Sequence, residues 1–126
     1  MVNSAVIVGR VVERPEKLKS EKGVTFGVLT LAVQRPFKNM EGDYDTDFIK
    51  CLLWEGIVEN CCEFCTKGSI VGIRGRLQTR TSEVLFKDES KNISRLDFIA
   101  ERVSFIRMVR EDDATKEVNV NEALEN

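Results

Sequence analysis

The sequence predicts an all-β domain, namely a five-stranded Greek-key barrel with one short helix between strands 3 and 4 and a long β-hairpin between strands 4 and 5. Three observations lead to this prediction. Five segments are rich in Val, Ile and Leu in strand-like patterns, and one segment of helical period follows the third of them. Glycines also stand inside several strands, which favours a tightly curved barrel over a flat sheet.

The length of 126 residues corresponds to one domain, and 42% hydrophobic with 32% charged residues is typical of a globular protein. No apolar run is as long as a membrane span, and no basic residue precedes the short apolar run at the N-terminus. We therefore expect neither a membrane segment nor a secretory signal, and a cytoplasmic location follows by default.

The charge is unevenly distributed along the chain. Residues 1–110 carry 18 basic and 15 acidic side chains, whereas residues 111–126 carry six acidic and one basic. This predicts a mildly basic folded domain over residues 1–110 and a short, acidic, disordered tail over residues 111–126. Such a tail could compete with a nucleic acid for a basic groove, or could simply keep the protein in solution.

The first two strands are predicted from Val- and Ile-rich segments. Residues 2–12 form the first strand, with Gly9 at a bend or bulge. A polar connector over residues 14–23 leads to the second strand, residues 24–34. Both alternating sets of the second strand are largely apolar, so we expect much of it to be covered on both faces.

A hairpin-like loop is predicted over residues 35–44, because Pro36 and Gly42 break the strand pattern. Its aromatic and basic side chains are Arg35, Phe37, Lys38 and Tyr44. An acidic cluster begins in it, formed by Glu41, Asp43, Asp45 and Asp47. These carboxylates could bind a cation, although solvated side chains on a hairpin are the expected interpretation.

The third strand, residues 45–55, has two faces of different chemistry. Ile49, Cys51 and Leu53 share one face, and Phe48, Lys50, Leu52 and Trp54 share the other. The second face interleaves two flat rings with an ammonium group, which suits a platform on which nucleic-acid bases stack. The alternative for Trp54 is an ordinary core position.

The predicted helix covers residues 56–65, where a helical apolar stripe is formed by Ile57, Cys61, Phe64 and Cys65. The spacing of Cys62 and Cys65, with Cys51 and Cys61 nearby, could provide metal ligands. Two of these cysteines lie on the apolar stripe, however, and the chain contains no histidine. We therefore expect reduced, buried thiols, no metal or cofactor, and no catalytic activity.

The fourth strand, residues 68–80, alternates between an apolar or small face and a basic face. The first face holds Val71, Ile73, Gly75, Leu77 and Thr79, and the second holds Gly72, Arg74, Arg76, Gln78 and Arg80. Guanidinium groups suit phosphate, so this face predicts a surface for a polyanion. The alternative is an amphipathic strand with a solvated polar face. Gly72 and Gly75 are assigned to barrel curvature.

The last predicted elements are a hairpin arm over residues 81–92 and a fifth strand over residues 93–106. Leu96, Phe98, Val103 and Phe105 are the core candidates of the fifth strand. This order of three strands, a helix and two strands is that of the OB-fold, a small Greek-key barrel that binds oligonucleotides through one face and its long loops.

Four segments follow one another along the chain: VIVGR at 6–10, FGVLTLAV at 26–33, DFIKCLLW at 47–54 and KGSIVGIRGRLQTR at 67–80. Through this ordered set, residues 1–107 resemble the bacterial single-stranded DNA-binding protein family. The resemblance implies an OB-fold, a homotetramer built by pairing barrels, and sequence-tolerant binding of single-stranded DNA in replication, recombination and repair.

The resemblance also implies site residues. Stacking rings are expected at Phe37, Phe48 and Trp54, and basic contacts at Lys50, Arg74, Arg76 and Arg80, with Arg35 and Lys38 of the loop and Phe86 of the arm completing the predicted DNA-binding set. The family usually has one more aromatic residue where this chain has Ser82. Phe86, four residues further on, is the candidate replacement.

The last residues, VNVNEALEN, depart from the family pattern of an acidic tip that closes on hydrophobic residues. The resemblance therefore implies DNA binding but not recruitment of replication or repair enzymes, and a phage or mobile-element paralogue stays open. Two alternatives are an OB-fold dimer of the primosome type that binds single strands, and an OB-fold module for protein or metal binding that has lost DNA.

Overall fold

The computed structural model describes residues 1–110 and contains six strands and one helix within them. The elements are β1 (Ala5–Val11), β2 (Leu18–Lys19), β3 (Thr25–Lys38), β4 (Tyr44–Trp54), α1 (Val58–Phe64), β5 (Ile70–Phe86) and β6 (Glu89–Arg107). The tail predicted over residues 111–126 lies outside the described residues. No helix in the described part of the chain is long and apolar enough to cross a membrane.

Five of the strands close into a barrel. β1 pairs antiparallel with β5, β5 with β6, and β4 with β3, while β6 runs parallel to β4. A short pairing of β3 with β1 completes the circle. The predicted barrel, its helix between the β4 and β5 strands and its long hairpin are therefore confirmed. The two-residue β2, which pairs with β3 inside the predicted connector, was missed.

The core consists of the inward set of each barrel strand and the buried side of α1. Its fully buried members include Leu29, Leu31, Cys51, Leu53, Val71 and Ile73 from the strands and Val58, Cys61 and Cys65 from the helix segment. This confirms the inward faces predicted for β4 and for the first half of β5. All four cysteines are free thiols.

Three of the interior glycines lie where backbone segments approach each other closely, and one of them is Gly9, on which a Cβ would stand 2.9 Å from the carbonyl oxygen of Ala32. A Cβ atom on Gly75 would stand 2.0 Å from the carbonyl oxygen of Ile99, and one on Gly27 would stand 2.9 Å from the carbonyl oxygen of Glu16. A Cβ on Gly72 would meet its nearest neighbours only at 3.5 Å. Close backbone approach therefore accounts for the glycine at position 75 but not at position 72, and the β5–β6 register also shifts between Arg74 and Gly75.

Half of the predicted loop over residues 35–44 is strand. β3 continues to Lys38 through a register shift after Gln34, and Pro36 is accommodated at this break in the ladder. Only the turn between the strands is irregular, and there the Asn39 side-chain oxygen accepts hydrogen bonds from the N–H groups of Glu41 and Asp43.

The β5–β6 hairpin continues beyond the barrel as a two-stranded arm, defined here as residues 81–94. Its turn is formed by Lys87 and Asp88, which both have positive φ, as a two-residue hairpin turn requires. Leu96 is 65% exposed, because its partner Thr79 lies beyond the end of the β1–β5 pairing at Gly75, so its assignment to the core was wrong. Phe98 is buried as predicted, whereas Phe105 remains partly exposed and packs on Phe64.

The edge of β5 that faces away from β6 loses its strand partner after Gly75, where the pairing with β1 ends. The side chain of Asn3 takes the place of that partner at Leu77. Its Nδ2 donates a hydrogen bond to the Leu77 carbonyl oxygen at 2.7 Å, and the Leu77 N–H donates to Asn3 Oδ1 at 3.0 Å.

Candidate nucleic-acid interface

The outward faces of β3, β4, β5 and β6 enclose an open groove of about 1040 Å³. Its lining combines rings, cations and the two carboxylates of Glu21 and Asp97, and it includes Phe26, Lys50, Trp54, Arg80 and Arg95. β4 contributes to the groove because successive side chains of a strand point to opposite faces, so Lys50 and Trp54 face outward while Cys51 and Leu53 are buried.

Trp54 is supported by a second ring from the neighbouring strand. It lies opposite Phe26 in the β3–β4 ladder, with ring centroids 5.8 Å apart and the planes tilted by 44°. Trp54 still exposes 39% of its surface, so the ring remains available to a ligand. Sequence reasoning missed Phe26 because both faces of its strand looked covered. Much of the strand is covered, but Val28 on the same outward face is 38% exposed at the groove.

Phe48 extends the row of outward side chains on β4. It is 66% exposed and lies opposite the small side chain of Ala32, which leaves the ring uncovered. Phe48 and Lys50 are two residues apart on the same face, about 7 Å along the strand. The predicted alternation of ring, cation, aliphatic side chain and ring is thus present on one surface.

The three predicted arginines of β5 do not act as one group. Arg80 lines the groove, whereas Arg74 lies opposite Val6 of β1 and Arg102 of β6, outside it. Arg76 lies between them, and its Nη1 is 3.8 Å from the carboxylate of Glu101. Alternation places all three on one side of the strand, but the twist of a barrel strand turns successive outward positions in different directions.

Arg80 has two charged neighbours that sequence reasoning did not single out. Its Nε is 3.3 Å from Asp97 Oδ2, and Arg95 is its cross-strand partner. Both neighbours line the groove. The residues predicted for the fifth strand were all apolar. Alternation along the strand from the buried Phe98 places Arg95 and Asp97 on its outward face.

Arg35 and Lys38 lie on the β3–β4 hairpin, away from the groove. Arg35 donates hydrogen bonds from Nε and Nη2 to the two carboxylate oxygens of Asp47, at 3.0 and 2.9 Å, and lies 3.6 Å from Asp45. The hydrogen bond lowers the pKa of Asp47 and raises that of Arg35. Lys38 Nζ lies 5.8 Å from the centre of the Tyr44 ring.

Two further predicted rings lie outside the groove. Phe37 is 62% exposed on the part of β3 that follows the register shift. Phe86 is half-exposed near the tip of the arm, with the ammonium groups of Lys87 and Lys91 at 5.6 and 5.4 Å from its ring centre. The unbroken ladder puts Phe86 on the face of Ser82, about 13 Å further along, so it does not occupy the position of Ser82.

The cysteines lie on the core side of β4 and α1. Burial raises the pKa of Cys51 to about 12. A hydrogen bond between the thiols of Cys61 and Cys65 lowers the pKa of Cys65 and raises that of Cys61. Within residues 1–110, no group of three or more Cys, Asp or Glu side chains is arranged to hold a metal ion.

A second surface is formed by the outward face of β1 with the end of β6. Val6, Val8 and Ile106 are exposed there, with Val6 at 69%. β1 pairs with β3 only at Arg10 and Val11, so residues 5–9 have a strand partner on one side only within the described part of the chain.

Comparison with known sequences gives consistent matches. Residues 2–106 match the Single-strand binding protein family. "Single-stranded DNA-binding protein 3" of Listeria innocua is 41% identical over 106 residues, which cover 84% of this chain and 64% of the relative. "Single-stranded DNA-binding protein B" of Bacillus subtilis is 37% identical over 106 residues, covering 84% and 91%. The chain thus spans less than two thirds of the Listeria protein.

Comparison with solved structures supports the OB-fold. A deletion mutant of the single-stranded DNA binding protein from Thermus aquaticus superposes with a TM-score of 0.65 at 21% identity, covering 86% of this chain and 54% of the other. The structure titled "Plasmodium falciparum SSB complex with ssDNA" gives a TM-score of 0.64 at 20% identity, covering 87% and 96%.

Proposed function

The chain belongs to the Single-strand binding protein family, and from that premise we propose that its groove binds single-stranded DNA with little dependence on sequence. The observation that carries the proposal is the convergence of the supported Trp54 ring, Lys50 and Arg80 in one open groove. Flat rings beside cations at this spacing match the two chemical features of a single strand, which are its base faces and its phosphates.

The mechanism assigns a different role to each type of side chain. Bases stack on Trp54 and Phe48, and Lys50 and Arg80 bind the phosphates between them. Every base has a π-face, so stacking discriminates weakly between sequences. Phosphate contacts release counterions from the DNA, so affinity falls as salt rises.

The remaining residues of the predicted set are proposed as outer contacts of a longer path. Phe86 with Lys87 and Lys91 offers a second ring between cations, on the face of the arm that continues the face of Arg80. On the opposite side, Phe37, Lys38 and Arg35 would meet the strand where it passes the β3–β4 hairpin. Arg74 and Arg76 would contact phosphates that leave the groove towards β1.

We propose a homotetramer, with a dimer as the alternative. Self-association is supported by the exposed apolar face of Val6, Val8 and Ile106 and by the edge of β1 that has no strand partner within residues 1–110. Burying both would remove apolar surface from water and satisfy backbone groups of that edge. Sedimentation of the purified protein tests this assignment. A stable dimer would contradict the tetramer and favour the primosome type.

We further propose that the protein acts without catalysis, in the cytoplasm, protecting DNA exposed during replication, recombination or repair. Support for a non-catalytic role comes from the composition, which contains no histidine, and from buried thiols whose raised pKa keeps Cys51 and Cys61 protonated at neutral pH.

The test is a titration with oligo-dT while the fluorescence of Trp54 is followed at two salt concentrations. Trp54 is the only tryptophan in the sequence, so the signal reports on the groove alone. Stacking should quench the emission, and binding should weaken at the higher salt. A protein that shows neither quenching nor salt-sensitive binding would refute this function and leave an OB-fold module that has lost DNA.

A further inference from the structure

At the groove, Arg80 and Arg95 form a cross-strand pair, and the carboxylate of Asp97 forms an ion pair with Arg80. Arg80 and Arg95 are directly opposite in the β5–β6 ladder, so their guanidinium groups repel. Asp97, two residues from Arg95, lies 3.3 Å from Arg80 Nε. The side chain of Arg80 is 59% exposed and that of Asp97 only 25%.

The carboxylate of Asp97 and a DNA phosphate are chemically equivalent partners for Arg80. A guanidinium group binds both types of anion through the same planar set of donors. Asp97 is short, and its backbone is fixed in β6 opposite Gln78. Arg80 is longer and more exposed, so it is the side chain that must move when a phosphate replaces the carboxylate.

We infer that Asp97 is a built-in competitor for the DNA phosphate at the Arg80–Arg95 pair. In the free protein, the Asp97 carboxylate neutralises the charge of Arg80, one of the two arginines. A DNA phosphate that binds Arg80 must displace this carboxylate. Once displaced, the Asp97 carboxylate takes up a cation from solution. This uptake offsets part of the counterion release that accompanies binding of the phosphate. Asp97 therefore lowers both the affinity for single-stranded DNA and the steepness of its salt dependence. This inference rests on the proposed function.

The other cations of the predicted set show why this pair matters most. Arg35 and Arg76 also have carboxylate partners, Asp47 and Glu101, but neither pair lines the groove. Lys50 does line the groove and has no ion pair within the described residues. Of the cations that line the groove, Arg80 is thus the one with a carboxylate ion pair within the described residues.

The experiment compares Asp97→Asn with the wild-type chain in binding to labelled oligo-dT across a salt series. Removing the charge should tighten binding at low salt by about two- to fivefold, which is the usual effect of one exposed ion pair. The slope of log K against log salt should become steeper by up to about 0.7, the value for one additional phosphate on a single strand. Asp97→Glu keeps the carboxylate and should retain the wild-type slope.

Two controls separate competition from a general change of charge. Glu63→Gln on α1 removes one negative charge away from the groove and should leave the slope unchanged. In an Arg80→Gln background, Asp97→Asn frees no guanidinium, so the slope should again stay constant. Equal slopes for the wild type and Asp97→Asn would overturn the inference while leaving the proposed function intact. Failure of the wild-type chain to bind oligo-dT would instead refute the proposed function.

Discussion

The barrel interior and the groove are built from alternate residues of the same strand. On β4, Cys51 and Leu53 have no exposed surface, whereas Lys50 and Trp54, their immediate neighbours in the chain, line the open groove. The interior depends on close packing, while the groove leaves rings and cations uncovered. Adjacent residues of β4 thus contribute either to folding or to binding. Substituting a buried residue should change the free energy of unfolding, whereas substituting its exposed neighbour should change the affinity for DNA.

The largest change in free energy is expected for Leu53→Ala, a substitution in the barrel interior. Leu53 is fully buried, so truncation leaves a cavity and should lower the free energy of unfolding by about 2–5 kcal/mol. Urea denaturation measures this loss. The fraction that remains folded keeps its groove and should bind oligo-dT with near wild-type affinity. Unchanged stability would show that the interior is not packed as described.

Trp54→Ala, one residue further along, should give the complementary result. Removal of a stacking ring should cost about 1–3 kcal/mol of binding free energy, and the loss should be similar for oligo-dT, oligo-dA and oligo-dC. Anisotropy of labelled DNA measures this without the tryptophan signal. The urea midpoint should move less than in Leu53→Ala. A loss confined to one base would contradict stacking as the basis of recognition.

The buried thiol of Cys51 makes the interior sensitive to alkaline pH. Its pKa is about 12 in the folded protein against 9.0 for a free thiol, so between these values the unfolded chain loses a proton that the folded chain keeps. The stabilisation is complete below pH 9 and declines by up to about 1.4 kcal/mol per pH unit above it.

Unfolding of the wild type and of Cys51→Ala at pH 8 and pH 10.5 tests this expectation, because the two proteins differ in this one ionisable group. The stability advantage of the wild type should shrink as pH rises. A stability difference that does not change with pH would mean that the Cys51 thiol has the same pKa in the folded and unfolded protein.

The smallest difference is expected between Lys50→Gln and Arg35→Gln. Lys50 faces the groove, and its loss should reduce the salt slope of binding by about 0.7 for one phosphate contact. Arg35 is held by Asp47 and Asp45, so its neutralisation should change the slope less. The reverse order would indicate that the hairpin, and not the groove, carries the phosphate contacts.

Features that depend on local periodicity could be predicted from the sequence. The two faces of β4, the helix between β4 and β5 and the arm all follow from alternation, helical spacing and turn residues within a few positions of each other. Close backbone approach at Gly75 could also be anticipated, because a glycine inside a strand weakens it and often marks such an approach.

Features that depend on pairing between distant segments could not be predicted. The separate directions of Arg74 and Arg80 follow from the twist of the barrel, and the contact of Arg80 with Asp97 follows from the β5–β6 register. Leu96 has the pattern of a core residue, and it is exposed only because β1 ends its pairing with β5 at Gly75.

The hydrogen bonds between Asn3 and Leu77 have a consequence for the exchange of amide hydrogens with solvent. They show that the Leu77 N–H points away from β6, so in an antiparallel ladder the N–H groups of Thr79, Thr81, Glu83 and Leu85 do so as well. Residues 70–75 have a strand on each side. Deuterium uptake along β5 should therefore be slow without interruption up to Gln78, because Asn3 protects Leu77, and then alternate between fast and slow from Thr79 onwards.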